Sequence, residues 1–71
     1  MNLHRGFHRH SPITAESQNR GFRARLQGLS KAAARSLGNS QREKLDLGAG
    51  WDRADMWSVE QRDRMRERLG I

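Results

Sequence analysis

The sequence predicts an all-α fold, with three or four short helices in a small bundle behind a flexible basic arm over residues 1–10. Three observations predict it. Apolar residues recur at helical spacing, start signals stand at Ser11, Ser40, Asp52 and Ser58, and Gly closes segments at positions 38, 48 and 70. No stretch alternates apolar and polar residues as a half-buried strand would. With 71 residues the chain makes one small domain at most, placed at 11–71.

The arm, MNLHRGFHRH, has no apolar period. Arg5 and Arg9 make it basic. His4, His8 and His10 have neither Cys nor carboxylate beside them, so no metal site is expected. Ser11-Pro12 then reads as an N-cap and a first helical residue. From there to Leu37 the spacing is that of one helix. Phe22, Leu26, Leu29, Ala33 and Leu37 fall within an arc of about 80°. Opposite them Arg20, Lys31 and Arg35 fall within about 60°, with Arg23 and Arg25 on the flanks. Gly21 and Gly28 each weaken such a helix by up to about 1 kcal/mol relative to Ala. Gly38-Asn39 is expected to stop it in a left-handed turn.

Ser40-Gln41-Arg42-Glu43 has the pattern of a capping box. It predicts a short helix over 41–47 with Leu45 and Leu47 inward, ended by a hinge-like Gly48-Ala49-Gly50 loop. Asp52 reads as the next cap, with Trp51 and Met56 at the staple positions. Ser58 with Gln61 is a second capping box, and it favours a break before a last helix over 59–69. That helix carries Glu60/Arg64 and Asp63/Arg66 at ion-pair spacing and a thin stripe of Val59, Met65 and Leu69. Gly70 should end it, with Ile71 folding back in a Schellman turn.

Charge is divided unevenly. Residues 1–38 hold seven cations and one acid, Glu16, while residues 39–71 hold seven of each sign. The whole net charge of +6 therefore belongs to the first half, which should attract polyanions. Twelve of the fourteen cations are Arg, whose fork matches phosphate. Nucleic acid, DNA or RNA, contacted mainly through phosphates is thus the expected partner. Arg5, Arg9, Arg20, Arg23, Arg25, Lys31 and Arg35 are the candidate contacts.

Residues 29–45 resemble a helix-turn-helix. Ala34 fits the small residue of that family's first helix, Leu37 the apolar residue three later, Gly38 the turn and Ser40 the cap of the second helix. Two positions depart from the pattern. Asn39 replaces the usual aliphatic residue, and the inward position near Lys44 is displaced to Leu45. The resemblance implies that Gln41, Arg42 and Lys44 would face a DNA groove. The alternative is a plain helical hairpin, since an Ala-rich helix, a Gly stop and a Ser cap also commonly end one helix and begin the next.

Leu, Ile, Val and Phe together number only 12 of 71 residues, too few for a deep enclosed pocket. With no Cys there is no thiolate zinc site and no cysteine nucleophile. No acid pair sits in an apolar context and His is confined to the arm. A non-enzymatic, cofactor-free, cytoplasmic protein without a membrane span is expected, suited to a bacterial or phage accessory role. Trp51 and Trp57 should supply core volume. The alternative is a protein-interaction module, a phage or plasmid inhibitor or a virion or ribosome component. It would use a surface of Trp57, Met65, Leu69 and Ile71 and be ordered by its partner.

Overall fold

Pro12 opens the first helix of the computed structural model, which describes residues 12–71. The arm, with Arg5 and Arg9, lies outside the described residues. The described chain is all-α, with α1 at Pro12–Leu26, α2 at Lys31–Arg35, α3 at Gln41–Asp55 and α4 at Val59–Leu69.

The single helix expected from Ser11-Pro12 to Leu37 is two. Gly28 takes φ +91°, a left-handed conformation that L side chains avoid, and Ser30 restarts the chain by accepting from the Ala33 N–H at 3.1 Å. The intervening Leu29 carbonyl is held from a distance, accepting from the Trp51 indole Nε1–H at 2.8 Å. The break turns the apolar seam. Phe22 and Leu26 are buried as expected, but Ala34 replaces Ala33 in the core, Leu29 is half-buried and Leu37 is exposed. It also removes the common face of Arg20, Lys31 and Arg35, since Arg20 now belongs to α1 and the other two to α2.

Gly38 does not stop α2 in a left-handed turn; its φ is not positive. The helix tightens instead, with Leu37 N–H donating to Ala34 O at 3.2 Å and Gly38 N–H to Arg35 O at 3.0 Å. Gly38 is buried, and a Cβ there would lie 3.0 Å from both Leu47 Cδ1 and Lys44 N. What the position needs is space for α3.

The hinge expected at Gly48-Ala49-Gly50 is instead the middle of α3. Its glycines are contact surfaces. A Cβ on Gly21 would stand 1.9 Å from the Leu47 carbonyl oxygen, and one on Gly50 would stand 1.8 Å from that of Gln18. The contacts are reciprocal. Gly21 and Gly50 stand level with each other, each facing the carbonyl three residues before the opposite glycine, and further along Arg25 reaches Asp55 and Leu26 packs with Ala54. The two helices therefore run in the same general direction with their backbones in contact. Ser17, Gly21 and Ala24 on α1 meet Leu47, Gly50 and Ala54 on α3, and all six are buried. Small residues at this spacing let helix axes approach. The helical cost of each Gly, about 1 kcal/mol, is offset by backbone packing over the whole crossing.

Leu47 is fully buried at this crossing, whereas Leu45, expected beside it in the core, is 58% exposed. Asp52 is no cap, because it lies within α3. The capping residues proper behave as their spacing implies. Ser40 accepts from Glu43 N–H at 3.1 Å, though the Glu43 carboxylate accepts from Asn39 N–H rather than from Ser40. Ser58 and Gln61 form the full reciprocal box. Gly70, at φ +74°, closes α4 in a Schellman turn, with Ile71 N–H donating to Arg66 O at 3.0 Å.

A second cluster, Phe22, Leu26 and Ala54, carries α4 through Trp57 and Met65. The Trp57 ring stands edge-on to Phe22, 4.9 Å between centroids at 78°. No residue of α4 is fully buried, and Val59, expected in its apolar stripe, is 65% exposed. Two arginines do much of the holding. Arg62 Nη1 donates to the Trp57 carbonyl at 2.6 Å and to Asp55 O at 3.2 Å, closing the end of α3. Arg66 Nη1 donates to Leu26 O at 3.2 Å, closing the end of α1, and its guanidinium also pairs with Asp63. The Glu60/Arg64 spacing gives no ion pair among the described residues. No described helix is long and apolar enough to cross a membrane.

Candidate functional site

The expected cations do not form one uninterrupted basic face. Folding carries the end of α3, which belongs to the charge-balanced half, onto the basic half. Arg25 Nε donates to Asp55 Oδ1 at 2.9 Å, and its guanidinium lies 5.4 Å from the centre of the Trp51 ring. Lys31 Nζ donates to Asp52 Oδ2 at 3.0 Å. These pairs are solvent-accessible, so each adds at most about 1 kcal/mol to stability. They nevertheless neutralise two of the cations that the sequence left without a counter-charge.

Four cations remain on the segments that flank the turn between α2 and α3 or touch it. Arg35 is the last residue of α2, and its side-chain stem lies along α3 at Gly48. Arg42 is exposed in the first turn of α3, beside exposed Gln41. Arg20 arrives from α1, its Nη2 lying 3.5 Å from the Leu37 carbonyl. Lys44 is half-buried on the same turn of α3. None of these four cations has an ion pair among the described residues. The acid at this end, Glu43, spends one oxygen on the Asn39 N–H at 2.7 Å.

Lys31 pairs with Asp52 and Arg35 lies at Gly48, so α2 and α3 run back along each other as a helical hairpin, and the helix-turn-helix pattern is met only in its order of elements. A helix, a turn and a capped second helix follow in order, and Ala34 is fully buried. Leu37, which should point inward, is 45% exposed, and Leu47 rather than a residue near Lys44 fills the core.

The second feature is a groove of about 360 Å³ between α1 and α4. Phe22, Trp57, Met65 and Leu69 line it, with Arg23 and Arg53 at its edge. Three of the four residues expected to touch a protein partner are thus brought together; Ile71 is not in this wall. Arg23, expected among the phosphate contacts, belongs here and not with the turn. Arg53 escaped the sequence reading. Its guanidinium lies 5.5 Å from the centre of the Phe22 ring, 31 positions away in the chain, and no local pattern signals that pairing. The signal that was present concerned the helix crossing: Ser17/Gly21 and Gly50/Ala54 both have small-x-x-x-small spacing.

No group of three or more metal-ligating side chains occurs among the described residues. Comparison with protein-family models, curated proteins and solved structures finds no match to this chain.

Proposed function

We propose that this chain is a small, non-enzymatic, cytoplasmic nucleic-acid-binding accessory protein that grips phosphates with the α2–α3 turn. The observation that supports the reading is that Arg35 and Arg42 bracket the turn in the chain, Arg20 reaches the Leu37 carbonyl within it, and none of the three has an ion pair among the described residues. Forked guanidiniums on a fixed scaffold match phosphate geometry, and Gln41 beside them adds a donor and acceptor for a base edge or sugar. Contacts of this kind position a duplex with little sequence preference. Arg25 and Lys31 contribute through the field and not as free phosphate ligands, because Asp55 and Asp52 already engage them.

Salt dependence tests the reading first. Neutralising about four phosphates gives a slope of log K against log[salt] of roughly −4. A slope near zero refutes phosphate binding. Location is tested by two charge reversals of equal size. Arg20→Glu with Arg42→Glu should weaken binding of a short duplex at least about tenfold. Arg64→Glu with Arg68→Glu, both exposed on α4, should weaken it far less. Equal losses would mean that only net charge matters and that the turn is not the site. Arg62 and Arg66 are unsuitable for the control, since they cap α3 and α1.

A further inference from the structure

We propose that the groove between α1 and α4 docks an acidic, amphipathic helical segment of a partner protein. Three features argue for it. The floor is apolar and unfilled: Trp57 and Met65 reach the core, while Leu69 stays 38% exposed. The rim is cationic. Arg23 and Arg53 stand on one side, and a smaller hollow of about 210 Å³ on the other side of Trp57 and Met65 is lined by Arg64 and Arg68. No acid lines either hollow, and none of these four arginines has an ion pair among the described residues. Finally, α4 lies on the domain with no fully buried residue, so its groove-facing side is left with apolar area to cover.

Charge complementarity selects the occupant. An apolar stripe with carboxylates on its flanks would seat its anchors on Trp57, Met65 and Leu69 and its acids on the arginine forks. A second copy of this chain is disfavoured, because a two-fold contact would set four arginines against the same four. A single nucleic-acid strand would need a run of aromatic platforms. Here one of the two rings, Phe22, is buried and has its partner edge-on.

The experiment uses the full chain and three fluorescent probes. One is a helical peptide with leucines at i, i+3, i+4 and i+7 and glutamates on its flanks. The second is the same peptide with lysines for glutamates, and the third is an oligothymidylate of matching charge. Anisotropy should show binding of the glutamate peptide at least about tenfold tighter than of either other probe. Arg23→Glu with Arg64→Glu should abolish that preference, and so should Leu69→Asp, while circular dichroism keeps the helical signal. Arg20→Glu with Arg42→Glu, at the other site, should leave peptide binding within about twofold. The proposal is overturned if the lysine peptide binds as well, if the oligothymidylate binds better, or if the turn reversal weakens the peptide as much as the groove reversal. It is also overturned if sedimentation shows the chain self-associating through a contact that Leu69→Asp removes.

Discussion

Two glycines two residues apart on α3 should respond to the same substitution with opposite signs. Gly50→Ala places a methyl 1.8 Å from the Gln18 carbonyl oxygen. Both atoms are fixed to helix backbone, so no rotamer change relieves the overlap. The helices must part by roughly 1 Å or more, a gap that already forfeits a quarter to a half of each contact's dispersion energy. The loss is shared by Ser17, Gly21, Ala24, Leu47 and Ala54 along the crossing. Overpacking usually costs about 1–3 kcal/mol, and a backbone-on-backbone clash belongs at the top of that range or above it. Ala returns about 1 kcal/mol of helix propensity, which does not cover the clash. The net loss is about 2–3 kcal/mol, against a total stability of roughly 4–11 kcal/mol for a chain of this size. Gly48→Ala meets only the flexible stems of Arg35 and Lys31, at 3.5 Å. It should keep most of the propensity gain, about 0.5–1 kcal/mol. Thermal melts followed by circular dichroism separate the two. Gly48→Ala should raise Tm by about 2–8 °C, and Gly50→Ala should lower it by about 8 °C or more. Shifts in the same direction, or an unchanged melt for Gly50→Ala, would refute the close crossing.

Leu47→Ala should cost about 2–4 kcal/mol in urea denaturation, while Leu45→Ala stays within about 0.5 kcal/mol. Trp51→Phe keeps most of the ring but loses the donor to Leu29 O, so the melt should report a loss of about 0.5–1.5 kcal/mol. Arg62→Ala strips the donor from the end of α3 and should cost about 1–3 kcal/mol, against less than about 0.5 kcal/mol for Arg64→Ala. Asp52→Asn with Asp55→Asn frees Lys31 and Arg25. In filter binding it should tighten nucleic acid several-fold and steepen the salt slope by up to about 2.

Read locally, the chain specifies the helical class, three of the four helix starts and the last helix entire. Those features are local. Pro12 sets its own φ, Ser40 and Ser58 cap backbone three residues on, and Gly70 turns left-handed where it stands. The meaning of the interior glycines and of the charges came from packing between distant segments. Gly48-Ala49-Gly50 reads as a hinge when helix propensity is weighed alone. It is helix because a second backbone, around Gln18 and Gly21, presses against it. Arg25 and Lys31 read as free because their acids lie 30 and 21 positions away. Helix signals act over three or four residues, whereas close backbone packing and ion pairing depend on which distant segment folding delivers. In this chain the delivering contact is the glycine crossing of α1 and α3, and it decides which cations remain for a partner.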